Sequence, residues 1–338
     1  MTILVTGAAG FIGTHVLLEL LESGLQVVAL DNFVNSTSES INRVRRISKA
    51  SFEFLEGDVG DSSFLKSVFK GRRINAVIHL AGLKSVAESC ESPLNYFENN
   101  VTGSVRLLAA CDAADVRTFI FSSSATVYGM AETMPIPETC RPSNPTSPYG
   151  RSKLMVEDIL QDLGQSNPTW NIAILRYFNP IGAHQSGLIG EFPAGTPNNL
   201  VPFVAQVASG QLQELVIHGD DYPTPDGTGI RDYIHVSDLA SGHISALSAI
   251  RESGGVHTWN LGTGRGYSVL EVVDTFSMIC GRQIPYRIGP RREGDVPVCF
   301  ADSSRAKRDL DWSPTRDLRD MLEDTWRWQR LNPRGYIE

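Results

Sequence analysis

The chain has 338 residues, 41% hydrophobic and 20% charged, with a formal net charge of −8. That length predicts one large or two modest domains of an ordinary soluble kind, and the acidic balance argues against a nucleic-acid binder, which carries a basic face. Five scattered cysteines (Cys90, Cys111, Cys140, Cys280 and Cys299) include no C-x-x-C, which argues against a disulfide framework or a zinc site and predicts a reducing, cytoplasmic setting.

The stretch "TILVT" (residues 2–6) reads as a short apolar strand that runs straight into a glycine turn, so no secretory leader is expected. "GAAGFIGTHVLLELLESG" then predicts a tight turn and a helix with Ile12, Val16, Leu17 and Leu20 on one face, stopped by Gly24. "QVVALD", "SFEFLEGD", "NAVIHLAG", "RTFIFSSS" and "WNIAILRYF" repeat the strand pattern, mostly with helical stretches between them. Strands alternating with helices predict an α/β fold, a doubly wound parallel sheet covered on both faces. This pattern spans residues 1–178. Residues 180–200 and 219–230 are rich in Gly, Pro and Asn, which suits loops around a ligand, and helix-like runs such as "SVLEVVDTFSMICG" follow. Residues 179–338 are therefore expected to form a smaller mixed α/β substrate domain, with about 235–262 returning to the first sheet. No stretch is long and apolar enough to span a bilayer. His235 and His243 lie more than two helical turns apart with no partner carboxylate motif and read as structural, and no metal is expected.

"TGAAGFIG" places Gly7, Gly10 and Gly13 between the first strand and the first helix. Glycines there permit a tight turn and let a pyrophosphate approach the backbone at the helix N-terminus. Asp31 closes the second strand 18 residues past Gly13, close to the spacing at which an acid hydrogen-bonds a ribose 2′-hydroxyl and repels a 2′-phosphate. The expected cofactor is NAD.

"SPYGRSK" puts Tyr149 and Lys153 four residues apart just after a proline. On a helix the phenol and the ammonium share a face. A tyrosine ionises near pH 10, so a base useful near neutrality needs a shift of ~3 units, or ~4 kcal/mol. One exposed ammonium is too weak for that. Lys153 together with an oxidised nicotinamide, both cationic and both in a closed site, supplies a sufficient cause. Ser124 ends the strand "TFIFSSS", at the carboxyl edge where doubly wound sheets bind ligands.

"TGAAGFIG", "SSSATVYG" and "SPYGRSK" resemble the extended short-chain dehydrogenase/reductase superfamily, which implies Ser124, Tyr149 and Lys153 as the catalytic set. With "LDNFVNS", "AGLKSV", "LRYFNPIGAH", "PNNLVPFVAQVASG", "DGTGIRDYIHVSDLA", "NLGTG" and "PRREGDVP", the likeness narrows to the UDP-glucose 4-epimerase family and covers essentially the whole chain. The resemblance implies a homodimeric isomerase that interconverts UDP-glucose and UDP-galactose through a transient 4-keto-hexose.

By the same resemblance, Phe11, Ile12, Asn32, Asn35 and Ser36 join the glycines and Asp31 around NAD. So do Asp58, Val59, Leu80, Ala81, Gly82, Lys84, Asn99 and Phe178. Lys84, Ser124 and Tyr149 would also meet the substrate. Asn179, Asn199, Leu200, Val216, His218, Tyr233 and Asp295 would line the nucleotide sugar, with Arg231 and Arg292 on its diphosphate, which guanidinium groups bind bidentately. Two positions depart from the family pattern. His218 stands where an aromatic residue usually lies near the uracil. Cys299 stands where several bacterial relatives have a bulky tyrosine at the hexose wall. A small residue there makes room for a 2-N-acetyl group, so UDP-GlcNAc and UDP-GalNAc are expected as further substrates.

Rival readings are a nucleotide-sugar 4,6-dehydratase, a 4-ketoreductase, and a non-catalytic NAD-sensing protein on the same fold. Dehydratases of the superfamily carry Thr-Asp-Glu where this chain has Ser124, Ala125 and Thr126, and elimination needs those carboxylates. Segments near 92–114 and 150–164 are the implied dimer helices.

Overall fold

A computed structural model describes the chain except residues 141, 143, 144, 193–196, 198, 293 and 338. The first half alternates β1 (Thr2–Thr6), α1 (Phe11–Glu22), β2 (Gln26–Asp31), α2 (Ser38–Ser48), β3 (Glu53–Glu56), α3 (Ser62–Phe69) and β4 (Ile74–His79). Two short helices, α4 (Val86–Glu91) and α5 (Pro93–Tyr96), precede a π-helical turn at Phe97–Thr102 and α6 (Gly103–Ala113). β5 (Thr118–Ser124) runs into a 3₁₀ turn (Ala125–Tyr128), and α7 (Pro148–Ser166) and β6 (Asn171–Tyr177) follow. The second half holds β7 (Asn179–Ile181), α8 (Leu200–Ala208), β8 (Leu215–His218), β9 (Ile230–His235), α9 (Val236–Ser253) and β10 (Gly255–Leu261). It closes with β11 (Gly266–Ser268), α10 (Val269–Cys280), β12 (Tyr286–Gly289), β13 (Val298–Cys299), α11 (Ser304–Leu310) and α12 (Leu318–Leu331).

The main sheet has seven parallel strands in the order β10-β6-β5-β4-β1-β2-β3. The chain turns one way from β1 and the other way at β4, so a crevice opens between those strands at their carboxyl ends. A four-stranded sheet around β9 and the parallel pair β12–β8 lie in the second half. This is the doubly wound α/β architecture with a smaller mixed part.

Central strands that are covered on both faces read as unbroken apolar runs, and Ile3, Leu4 and Val5 are fully buried. One core lies on each side of the main sheet, and a third joins α8, α10 and α12 in the second half. Two elements differ from expectation. α1 buries Leu18 and Leu21 as well as Val16, Leu17 and Leu20, because α2 and α9 cover the face that periodicity leaves to solvent. "SFEFLEGD" forms only the four-residue β3, an edge strand paired to β2 alone. Its remaining residues instead shape the turn toward the crevice. β10 lies beside β6, so the stretch after α9 is part of the main sheet.

Candidate active site

The glycine turn is built for a close-approaching anion. Gly7 has φ +70°, and a Cβ there would stand 2.6 Å from the Ala81 nitrogen. A Cβ on Gly13 would stand 2.1 Å from the Gly7 oxygen, so α1 packs against the turn only without one. Gly10 caps α1 without a side-chain bond, and the first turn, which holds Phe11, Ile12 and Gly13, carries no acidic residue. Its amide N–H groups and the helix dipole thus face the crevice, as a pyrophosphate requires. Asp31 is buried at the end of β2 and accepts from the Ala9 amide (2.9 Å), the Phe33 amide (2.9 Å) and the Ser36 hydroxyl (2.7 Å). A carboxylate accepts about four bonds, which leaves it capacity for a ribose hydroxyl. These features fit a dinucleotide.

The neighbouring residues converge on the same crevice. Asn32 donates to Asp58 at 2.7 Å, while Val59 is buried beside it and Asn35 is exposed. Leu80, Ala81 and Gly82 leave β4 half-buried next to Gly7, and the Leu80 amide donates to the Thr6 oxygen at 3.1 Å. Asn99 is half-buried in the π-helical turn, a feature frequent at functional sites. Phe178 is buried just past β6.

The three expected catalytic residues come together where β5 meets α7. Pro148 starts α7 and Ser147 caps it, which sets Tyr149 in the first turn. Ser124 lies beside the Tyr149 phenol, whose proton affinity it lowers, and accepts from the Thr126 amide (3.2 Å) and hydroxyl (3.0 Å). Lys153 is buried, donates to the Ser122 carbonyl oxygen at 2.8 Å, and lies over the Phe121 ring at 4.9 Å. Burial lowers the Lys153 pKa to about 8, against the attraction of Glu157. Burial raises the Tyr149 pKa, against the Ser124 bond and the positive charge of Lys84.

The second half supplies a row of polar groups opposite. Asn179 on β7 pairs with Tyr233 on β9, and Cys299 on β13 pairs with Arg231. Arg231 forms an ion pair with Asp295 at 3.3 Å, and Arg292 is exposed nearby in the same loop. Val216 and His218 are half-buried on β8, with His218 Nδ1 3.1 Å from the Pro290 oxygen. Asn199 caps α8 and Leu200 begins it. Cys299 is half-buried against a small apolar cluster with Phe178, Tyr128 and Ile136. Tyr233 sits apart from the polar row. It is 3% exposed and packs in the third core.

Several residues escaped the sequence reading. Glu191 forms an ion pair with Lys84 at 2.9 Å and accepts from Asn199 at 3.2 Å, so it links the two halves of the site. Asn100 is buried and joins the loop after β4 (Leu83) to Ser152 on α7. No local signal marks either. Glu157 and Arg176 form a buried ion pair at 2.6 Å beneath Lys153. The four-residue step from Lys153 to Glu157 was the available clue. His235 does have a carboxylate partner, Asp324 at 3.2 Å, which lies on α12 far along the chain. Among the described residues no cluster is arranged to hold a metal ion, and no helix is long and apolar enough to cross a membrane.

A glycine turn at the switch point and a Ser–Tyr–Lys group at the neighbouring strand end define a nucleotide-dependent enzyme of the short-chain dehydrogenase/reductase kind. Residues 3–262 match the NAD dependent epimerase/dehydratase family, and the chain belongs to it. The UDP-glucose 4-epimerase of Bacillus subtilis is 53% identical over 99% of both chains. The solved UDP-glucose 4-epimerase of Bifidobacterium longum, in complex with NAD⁺ and UDP, is 48% identical with a TM-score of 0.96, covering 99% of this chain and 100% of that one. More distant, at 36% identity and a TM-score of 0.85, is the UDP-Glc/GlcNAc 4-epimerase of Campylobacter jejuni, covering 98% and 99%.

Proposed function

We propose that this protein is an NAD-dependent 4-epimerase, an isomerase that interconverts UDP-glucose and UDP-galactose. The observation that carries the reading is the meeting of Ser124, Tyr149 and Lys153 at the sheet edge beside the glycine turn. Residues 1–178, with 235–262, form the NAD-binding unit, and 179–338 bind the UDP-sugar. Gly7, Gly10, Gly13 and Asp31 hold the dinucleotide. When bound there, the dinucleotide would supply the hydride acceptor for C4 of the hexose and be regenerated as the hydride returns to the opposite face.

Tyr149 is the base at the sugar 4-hydroxyl. Its phenol needs cations to outweigh burial, and Lys84, Lys153 and the oxidised nicotinamide supply them together. Ser124, beside the phenol, shares the same sugar oxygen. Arg231 and Arg292 bind the diphosphate, and Asp295, Asn199 and His218 the nucleoside. Arg231 leaves Asp295 to do so, since a desolvated phosphate is the stronger partner. The hexose itself is held loosely, because it must turn over between the two hydride steps while UDP stays fixed.

Cys299 borders the hexose pocket with a small side chain, and the Campylobacter jejuni relative acts on both sugar classes. UDP-GlcNAc and UDP-GalNAc are therefore proposed as substrates too. The positions that would hold a dehydratase's carboxylates are Ala125 and Thr126, which begin the 3₁₀ turn. The exposed apolar residues Val86, Leu94, Val105 and Met155 on α4, α5, α6 and α7 suit a homodimer in the cytoplasm. Purified protein given UDP-galactose without added NAD tests the reading. Formation of UDP-glucose supports it, and no turnover even with NAD refutes it.

A further inference from the structure

Three successive serines at the end of β5 meet three successive turns of α7. Ser124 contacts the phenol of Tyr149. Ser122 accepts from Lys153 Nζ through its carbonyl oxygen at 2.8 Å and its hydroxyl at 3.4 Å. Ser123 donates to Glu157 Oε1. Tyr149, Lys153 and Glu157 recur every four residues, so they line one face of the helix.

The Glu157 rung is the most heavily built. Glu157 is 3% exposed and Arg176 5%. Arg176 donates to Glu157 Oε1 at 3.0 Å and to Oε2 at 2.6 Å, a bidentate pairing. Arg176 stands opposite Ser123 in the β5–β6 register. Its third nitrogen donates to the Tyr128 hydroxyl at 2.9 Å, which in turn donates to Asn260 on β10 at 2.6 Å. One carboxylate therefore joins α7 to β5 and β6 directly, and to the 3₁₀ turn after Ser124 through Arg176.

We propose that Glu157 is a positioning residue for the reaction: anchored by Arg176, it ties the end of β5 to α7 and so holds Ser124, Tyr149 and Lys153 in register. The proposal rests on the reading of those three as the catalytic set.

Stability alone is a poor reason for this pair, because buried ion pairs often stabilise no better than packed apolar residues of the same volume. Two of its properties have no apolar substitute. One is a directional bond to the residue beside Ser124. The other is an anion one helical turn from Lys153, whose charged form burial disfavours and Glu157 supports. Besides Glu157, His79 on β4 meets the charge of Lys153; Lys84 after β4 and Tyr177 on β6 face Tyr149, and Arg176 on β6 and Tyr128 in the 3₁₀ turn face Glu157 and each other. His79 is kept neutral by burial and by the Lys153 charge, and the charge of Arg176 is matched by Glu157 itself.

The test is steady-state kinetics of NAD-loaded Glu157→Gln on UDP-galactose from neutral to alkaline pH. A fall in kcat of about tenfold or more with KM within about twofold is expected. The alkaline limb of the profile should also move to lower pH, because Lys153 loses its anion. A folded variant with unchanged kcat and an unmoved limb overturns the proposal. Glu157→Gln leaves Arg176 buried without a full counter-charge, which threatens folding. Ser123→Ala then carries the test, since it removes the rung and no charge. A drop in kcat of about fivefold or more at unchanged KM supports the proposal, and kcat within about twofold of wild type overturns it. Absence of turnover in the wild type would overturn both this proposal and the epimerase reading, whereas wild-type turnover with unaffected variants overturns this one alone.

Discussion

The ammonium of Lys153 is bonded to the Ser122 carbonyl oxygen on β5, at 2.8 Å. The helix spacing brings Lys153 to the same face as Tyr149, yet its direct bond is to the strand. In the proposed reaction it acts on the phenol as a buried positive charge anchored to the strand. Such a charge is held at constant distance while the phenol gains and loses a proton, so little reorganisation is needed during reaction.

Replacing the phenol oxygen should separate chemistry from binding. In Tyr149→Phe, kcat on UDP-galactose is expected to fall by about 10²–10⁴-fold. Calorimetric affinity for UDP should stay within about twofold, since the base meets only the hexose. Retained turnover would remove Tyr149 from the role of base.

Lys153 sets an alkaline limit. Its pKa is lowered to about 8, burial being the main cause. Its positive charge is full below that value and is lost as pH rises through it. The pH profile of kcat/KM, which reports the free form's essential groups, should therefore decline above about pH 8. A profile flat to pH 10 would contradict this assignment.

Acid should unfold the protein steeply. Burial lowers the pKa of His15 and His79 to about 3 and that of His243 to about 4. Each is neutral when folded and takes up a proton near pH 6.5 when unfolded. Their contribution is complete above that pH and is lost as pH falls toward their folded values. Three such groups give about 4 kcal/mol per pH unit, against a total stability of about 5–15 kcal/mol. Denaturant titrations between about pH 6 and pH 4 should show unfolding linked to roughly three protons. Linkage below one proton would mean that these histidines are not the acid-sensitive groups.

Gly13 admits no side chain. Gly13→Ala sets a methyl 2.1 Å from the Gly7 oxygen, and the backbone must shift at a cost of about 1–3 kcal/mol or more. Purified Gly13→Ala should carry less NAD, measured by absorbance after denaturation, and melt at lower temperature. Wild-type NAD content would show that α1 does not seat the pyrophosphate.

Cys299 decides pocket width. Cys299→Tyr should reduce turnover of UDP-GalNAc by about 10-fold or more while leaving UDP-galactose within a few-fold, since a bulky wall rejects the larger group sterically. Equal losses on both sugars would show that the residue does not select between them.

The doubly wound class and the location of the dinucleotide turn were legible in the sequence, because both rest on short-range constraints. A buried parallel strand needs an apolar run, and a turn that meets an anion needs glycine. Tyr149 and Lys153 follow the same local logic of one helix. α1 was harder, since the cover provided by α2 and α9 comes from segments distant in sequence. Glu157 sat in plain view four residues past Lys153, but its partners Ser123 and Arg176 lie on separate strands.

The sequence by itself determined where the fold alternates, where the glycine turn lies and which side chains share the face of α7, since each depends on neighbours within a few residues. Only the tertiary structure decided what those groups touch. It bonded Lys153 to Ser122, brought Glu191 to Lys84 and Asn199, and raised the proton affinity of Tyr149 by burying it. The physical reason is that charge and proton affinity depend on distance and burial in three dimensions, which no spacing along the chain encodes.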